Sequence, residues 1–254
     1  MIDLRGRRVL VTGGGRGIGA ACCRLFARAG AAVALNYRVA AARAEAVLAE
    51  LRAISDSPHA PHFAFRADVS EPAAVDALFA AVEERWGGLD CLVNNAGVWW
   101  RNPVETLDLE RLERTWAINI TAPFLCARAA APFLREGADG NIVNLTSTAG
   151  QRGEAWYSPY AASKGALIAA TKSWSTELAP AVRVNSVAPG WVDTEMNVDP
   201  FAAGGRDALA AGIPLGRIAT AEDIAGPVVF LASPLARHIT GETLSVNGGS
   251  VLAG

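Results

Sequence analysis

Histidine, cysteine and methionine are all scarce in this chain of 254 residues, with three His, four Cys and two Met. His59, His62 and His238 lie apart, and Cys22, Cys23, Cys91 and Cys126 form no C-x-x-C pair. That spacing argues against a zinc site, and no metal is expected. Small, buried, reduced thiols in a cytoplasmic protein are expected instead. Net charge is slight, -2 at pH 7, and no basic stripe stands out, so nucleic acid is not an expected partner. No run approaches the roughly 18 apolar residues of a membrane span. The opening MIDLRGRRVLVTGGG has too short an apolar run for a signal peptide. Repeats, linkers and low-complexity blocks are absent too. What remains is 51% hydrophobic and 19% charged residues, the composition of a globular domain with a sizeable core.

Short apolar runs alternate with helical patterns along the whole length. RVLVT (8–12), AVALN (32–36), HFAFRADV (62–69), LDCLVNNAG (89–97), GNIVNLTS (140–147), VRVNSVAPG (182–190) and TLSVNGG (243–249) read as strands. Helices are predicted over 17–30, 40–54, 70–87, most of 103–135, 158–179 and near 221–232. The 70–87 helix has Ser70 as its expected cap and a glycine stop. Such alternation specifies an α/β, doubly wound parallel sheet covered by helices on both faces. One domain over 1–254 is expected, with a cofactor half to about residue 150 and a catalytic half from about residue 140. Ligands bind such sheets at the carboxyl ends of the strands.

The first such end carries TGGGRGIG, 12–19. Glycines allow a tight turn and close approach to a pyrophosphate, and the following helix offers free N–H groups. The spacing departs from G-x-G-x-x-G, because Ile18 stands where its last glycine would be; Gly13, Gly17 and Gly19 form G-x-x-x-G-x-G. The same glycines would serve a plain strand-to-helix turn. Their place between the first strand and first helix favours a nucleotide.

TGGGRGIG, NNAG (94–97), Ser147, YAASK (160–164) and PGWVDT (189–194) stand in the order found in short-chain dehydrogenases/reductases, which the chain resembles from Val9 to Gly249. Overall similarity is greatest to the 3-oxoacyl-acyl-carrier-protein reductase branch. The resemblance implies a single Rossmann-type domain with seven parallel strands, assembled as a homotetramer or homodimer. It also implies hydride transfer between a nicotinamide and a carbonyl or secondary alcohol, with Asn119, Ser147, Tyr160 and Lys164 as catalytic residues. Asn119 would hold a water that relays protons through Lys164. A non-enzymatic NADP sensor on the same fold would be expected to lack the Tyr/Lys pair. A nucleoside-sugar epimerase would need a separate substrate lobe.

In YSPYAASKGAL, Ser158 is the expected N-cap and Pro159 the first helical residue, which puts Tyr160 in the first turn and Lys164 on the same face. A phenol titrates near about 10. The ammonium, the helix N-terminus and an oxidised nicotinamide would all favour its anion, so a lowered value is expected. The phenol would donate a proton during reduction and its anion accept one during oxidation. Ser147 would bind the substrate oxygen, with Thr146 and Thr148 as rivals for that role.

NAD enzymes usually carry an acid at the end of the second strand, and NADP enzymes a nearby cation. Here Asn36 takes that place, Tyr37 and Arg38 follow, and Arg16 sits in the glycine loop. The missing acid and the two arginines predict NADP(H) over NAD(H), although either arginine alone could be a solvated loop residue. The resemblance adds Gly15 and Ile18 to the cofactor cradle, Asp68 and Val69 beside adenine, and Asn95, Ala96 and Gly97 beside the adenine ribose. It places Pro189, Gly190, Val192 and Thr194 beside the nicotinamide. Asp68 could instead cap the following helix.

Trp99, Trp100, Trp156 and Trp191 fall in segments expected to border the substrate. They predict an apolar or ring-stacking pocket, suited to acyl chains, cyclic ketones or sugars alike. The segments 134–140 and 176–183 are poor in Lys and Arg, which weighs against docking of an acidic carrier protein.

Overall fold

The computed structural model describes residues 2–55, 60–137, 139–197 and 205–252, so His59 lies outside the described residues. Elements run in the order β1 (Arg8–Val11), α1 (Gly17–Arg28), β2 (Ala32–Tyr37), α2 (Ala41–Ile54), β3 (Phe63–Arg66), α3 (Pro72–Trp86) and β4 (Cys91–Asn94). They continue with α4 (Leu109–Trp116), α5 (Ala122–Glu136), β5 (Gly140–Leu145), α6 (Thr148–Arg152), α7 (Ser158–Glu177), β6 (Val182–Pro189), α8 (Gly205–Ala211), α9 (Ala221–Leu231) and β7 (Thr243–Val246).

The described residues form a seven-stranded sheet in the order β3-β2-β1-β4-β5-β6-β7, with every neighbouring pair parallel. Successive strand residues face opposite sides, and both sides are apolar. Val9, Val11, Val33 and Leu35 join Phe26, Leu51, Ile224 and Val228 under α1, α2 and α9. Leu10, Leu92, Ile142 and Val184 join Leu78, Val82, Leu134 and Leu167 under α3, α5 and α7. A strand buried on both faces needs this unbroken apolar run, which is why the runs read as strands.

The region expected to be mostly helical across 103–135 is divided. A π-turn at Ala117–Thr121 separates α4 from α5, and such turns recur at functional sites. By length and composition Leu109–Glu136 is apolar enough to cross a membrane. Its Cys126, Ala130 and Leu134 pack into the core beneath the sheet instead.

Two expected caps shift by one residue. The N-cap of α3 is Glu71 rather than Ser70, because Pro72 opens the helix. The N-cap of α7 is Tyr157 rather than Ser158, and Pro159 lies one place further in. The first turn of α7 still holds Tyr160.

All four cysteines are buried and unpaired, and burial raises each thiol above its usual value. His62 is a buried core residue whose Nδ1 accepts the Val33 N–H at 3.0 Å.

Candidate active site

The chain order reverses between β1 and β4, where a doubly wound sheet opens a crevice at its carboxyl edge. A cavity of about 560 Å³ occupies that edge. The Thr12 hydroxyl, one residue past β1, accepts from the Asn95 and Ala96 backbone N–H groups at 3.0 and 3.1 Å. The Asn95 amide donates back to the Thr12 and Gly13 carbonyls at 2.9 and 3.1 Å. These bonds lock the two loops together, and Thr12 is a residue the sequence reading did not single out.

Gly13, Gly15, Arg16, Gly17 and Ile18 line the cavity, and α1 begins at Gly17 with its N-terminus directed there. Gly13 and Gly17 have φ of +65° and +50°, a region that favours glycine. Gly19 does not line the cavity. A Cβ there would lie 2.3 Å from the Gly13 carbonyl oxygen, so its role is close packing of α1 against the loop. Tyr37, Arg38, Asp68, Val69, Asn95, Ala96 and Gly97 line the cavity, as do Pro189, Gly190, Val192 and Thr194.

Asn36 lines the cavity at the end of β2. It is buried, its amide donates to the Ala67 carbonyl at 3.0 Å, and its oxygen faces the Gly13 N–H at 3.4 Å. It braces the glycine loop while lining the cavity, as Tyr37 and Arg38 after it also do. Arg38 is about half-exposed and lies 3.4 Å from Asp68. Arg16 and Arg43 both face Glu195, at 3.9 and 2.7 Å. Arg43, on α2, was not foreseen.

Asp68 both shapes its turn and holds charge. It accepts from the Ser70 N–H and hydroxyl at 3.1 and 2.6 Å and pairs with Arg114 at 2.5 Å. Burial pushes its carboxyl up, but Ser70 and Arg114 outweigh that and hold it at about 2.

Ser147, Tyr160 and Lys164 line the same cavity. Ser147 caps α6, accepting the Ala149 N–H at 3.1 Å. Its rivals Thr146 and Thr148 line the cavity too, but the Thr146 hydroxyl is engaged, donating to the Val187 carbonyl at 2.9 Å. Lys164 is buried, donates to the Leu145 carbonyl at 2.7 Å and lies 5.8 Å from the Tyr160 ring centre. Burial without a carboxylate partner lowers its ammonium to about 8.

The protein's own groups raise the Tyr160 phenol, before any nicotinamide charge is counted. Burial pushes it up to about 12, hydrogen bonding with Ser147 draws it down, and the Glu154 charge pushes it up again. The Lys164 ammonium is engaged with Leu145, so the protein by itself favours the neutral phenol, the form that can donate a proton.

Asn119 lies in the π-turn and is buried. Its oxygen accepts the Val98 N–H at 2.9 Å, and its amide donates to the Val98 carbonyl and the Ser163 hydroxyl at 2.9 and 3.1 Å. With both ends of the amide engaged, its side chain positions the NNAG segment against α7. A Cβ on Gly97 would meet Asn119 Oδ1 at 3.3 Å and Lys164 Nζ at 3.5 Å, so the segment packs closely on both side chains.

Of the four tryptophans, Trp99 and Trp191 line the cavity, and Trp100 and Trp156 are not among its lining residues. Trp99 stacks on Tyr157 with ring centres 4.2 Å apart and meets Trp191 edge-on at 6.0 Å. Trp156 is 62% exposed, with a φ of +65° that bulky residues rarely adopt. Its backbone carbonyl, which accepts the Asn102 N–H at 2.8 Å, is what the fold uses. Glu154, Arg152 and Tyr157 went unnoticed in the sequence, because the loop before α7 has no periodic pattern.

Residues 13–250 match a family described as Enoyl-(Acyl carrier protein) reductase. The chain is 38% identical to 3beta-hydroxysteroid dehydrogenase 1 of Eggerthella lenta, over 98% of this chain and 95% of that one. The chain belongs to the short-chain dehydrogenase/reductase family. It lies near the 3-oxoacyl-acyl-carrier-protein reductase branch of that family, being 36% identical to that reductase from Synechocystis over 99% of this chain and all of the relative. A short-chain dehydrogenase from Burkholderia cenocepacia, solved in complex with NADP, superposes with a TM-score of 0.90 at 39% identity, covering 98% and 99% of the two chains. As a member of this family the chain is an oxidoreductase that uses a nicotinamide cofactor and acts on small molecules.

Proposed function

We propose that the chain is an NADP(H)-dependent reductase that transfers hydride between the nicotinamide and a carbonyl or secondary alcohol, with chemistry like that of 3-oxoacyl reductases. The observation that carries this reading is that one cavity is lined together by a glycine cradle at a helix N-terminus, by Arg16 and Arg38, and by Ser147, Tyr160 and Lys164. The donor set suits the dinucleotide. Gly15 and Gly17 leave a cradle that side chains would fill, α1 presents its N-terminal N–H groups, and Arg16 and Arg38 line the cavity, paired there with Glu195 and Asp68, while β2 itself ends without an acid.

Bound NADPH would supply the hydride. The Ser147 hydroxyl holds the substrate oxygen, and the neutral Tyr160 phenol donates the proton that oxygen needs as it becomes an alkoxide. Lys164 keeps a positive charge beside the phenolate that results, and Asn119 fixes the segment that packs on Lys164.

Exposed Trp116 and Phe124, on α4 and α5, support a homo-oligomer, and the reduced buried thiols suit the cytoplasm. The test is NADPH oxidation with 3-oxoacyl thioesters, cyclic ketones, diketones and keto sugars. Turnover within these classes is expected. A protein that binds NADPH tightly yet turns over none of them would be a sensor and would overturn the reading.

A further inference from the structure

The cavity holds one carboxylate that neither the cofactor cradle nor the Ser147, Tyr160 and Lys164 group uses. Glu154 lies in the loop between α6 and α7 and lines the cavity among Trp99, Trp191 and Tyr160. It is half-buried, and no ion pair engages it among the described residues. The Trp99 indole is its hydrogen-bonding side-chain neighbour, while Arg152 acts on it only through its charge. Trp99 is itself held rigid, stacked on Tyr157 at 4.2 Å with the planes 3° apart and abutted by Trp191. The carboxylate thus lines the cavity beside an ordered aromatic wall, with acceptor capacity left open to the cavity. Glu154 and the Tyr160 phenol line the same cavity, so a group bound to the carboxylate shares that cavity with the reacting oxygen.

A desolvated carboxylate is costly unless donors satisfy it. An alkyl chain laid across it would worsen that cost. A hydroxyl would relieve it, and an aromatic wall beside an open acceptor suits a hydroxylated ring or short chain, whose C–H face packs on the indole as its O–H meets the carboxylate. We propose that Glu154 is a specificity-determining residue that accepts a hydrogen bond from a hydroxyl near the reacting carbonyl, so that the preferred substrates are hydroxy ketones and polyols rather than plain acyl chains. This rests on the reductase reading of the same cavity.

The test is the ratio of kcat/KM for 2-hydroxycyclohexanone over 2-methylcyclohexanone, measured by NADPH oxidation at neutral pH. Both ketones use the same proton donor, so any change in the Tyr160 environment cancels in the ratio. The wild-type ratio should be about ten- to a hundredfold. Glu154→Leu should bring it near one. Glu154→Gln keeps the shape and one acceptor, so the ratio should fall at least threefold without vanishing. A wild-type ratio near one, or a high ratio unchanged in both variants, overturns the role of Glu154 and leaves the reductase reading intact. Oxidation of neither ketone, nor of any compound in the wider carbonyl screen, overturns both. A preference for 2-(dimethylaminomethyl)cyclohexanone over the hydroxy ketone would mean that the carboxylate reads an ammonium, and overturns the hydroxyl assignment.

Discussion

The Lys164 ammonium donates to the Leu145 carbonyl oxygen at 2.7 Å, where β5 ends. This bond holds a buried charge in a place where only function explains it. With a folded value near 8 against an ordinary 10.5, the ammonium is the disfavoured form in the fold. It therefore costs stability below pH 8, by roughly 3 kcal/mol, and the cost disappears as pH rises toward 10.5. Lys164→Met removes that cost but strands the Leu145 carbonyl, at about 1–3 kcal/mol. The variant should lose turnover and NADPH affinity while its ligand-free Tm at pH 7 equals or slightly exceeds the wild type. Between pH 8 and 10.5 the comparison should move in favour of the wild type. A fall in Tm of more than about 5 °C at pH 7 would contradict this account.

Cofactor preference should turn on Arg38 and Tyr37. Arg38→Ala should weaken NADPH by about ten- to a hundredfold, the worth of one charge-assisted bond, and barely alter NADH. Adding Tyr37→Asp places a repelling acid on the rim and should invert the preference. Asn36→Ala, which loosens the glycine loop, should lower Tm and leave the NADPH to NADH ratio alone. Measured kcat/KM for both cofactors checks all three, and equal losses for both cofactors in Arg38→Ala would refute phosphate reading by that arginine.

The tryptophans should separate cleanly in steady-state kinetics. Trp99→Ala removes a cavity wall and the neighbour of Glu154, and should raise KM for the best ketone about tenfold or more. Trp156→Gly removes an exposed ring and relaxes a backbone held at φ +65°, so KM should stay within about twofold. The reverse ranking would show that the ring of Trp156, not that of Trp99, meets the substrate.

Asp68 makes a prediction about acid. Its carboxyl is held at about 2, below the ordinary 3.8. Its stabilising effect is present above the ordinary value and lost as pH falls through the folded one. Asp68→Asn should thus lower Tm at pH 7, with the gap to wild type closing between about pH 4 and 2. A gap that persists at pH 2 would assign the effect to packing.

Much of this was legible in the sequence. The sheet could be read because RVLV, CLVN and GNIVNL are apolar on both faces, and the cofactor turn because glycines follow the first strand. Asn36, expected at the cofactor, does line the cavity, and only the structure shows that its amide also bonds the Ala67 carbonyl and braces the glycine loop. The protein's own groups raise the phenol, through burial and Glu154 that are invisible in YSPYAASK, whereas the expected lowering also counted a nicotinamide charge. Glu154 itself sits in an aperiodic loop, where neither spacing nor motif marks it.

The central claim is that Tyr160 is the proton donor of an NADPH-dependent reductase, and the most direct measurement is kcat for Tyr160→Phe on the best ketone, alongside NADPH affinity by fluorescence titration. The account predicts a fall of about 10²–10⁴-fold in kcat with NADPH affinity within about twofold of wild type. Retention of more than a tenth of the wild-type kcat would contradict it.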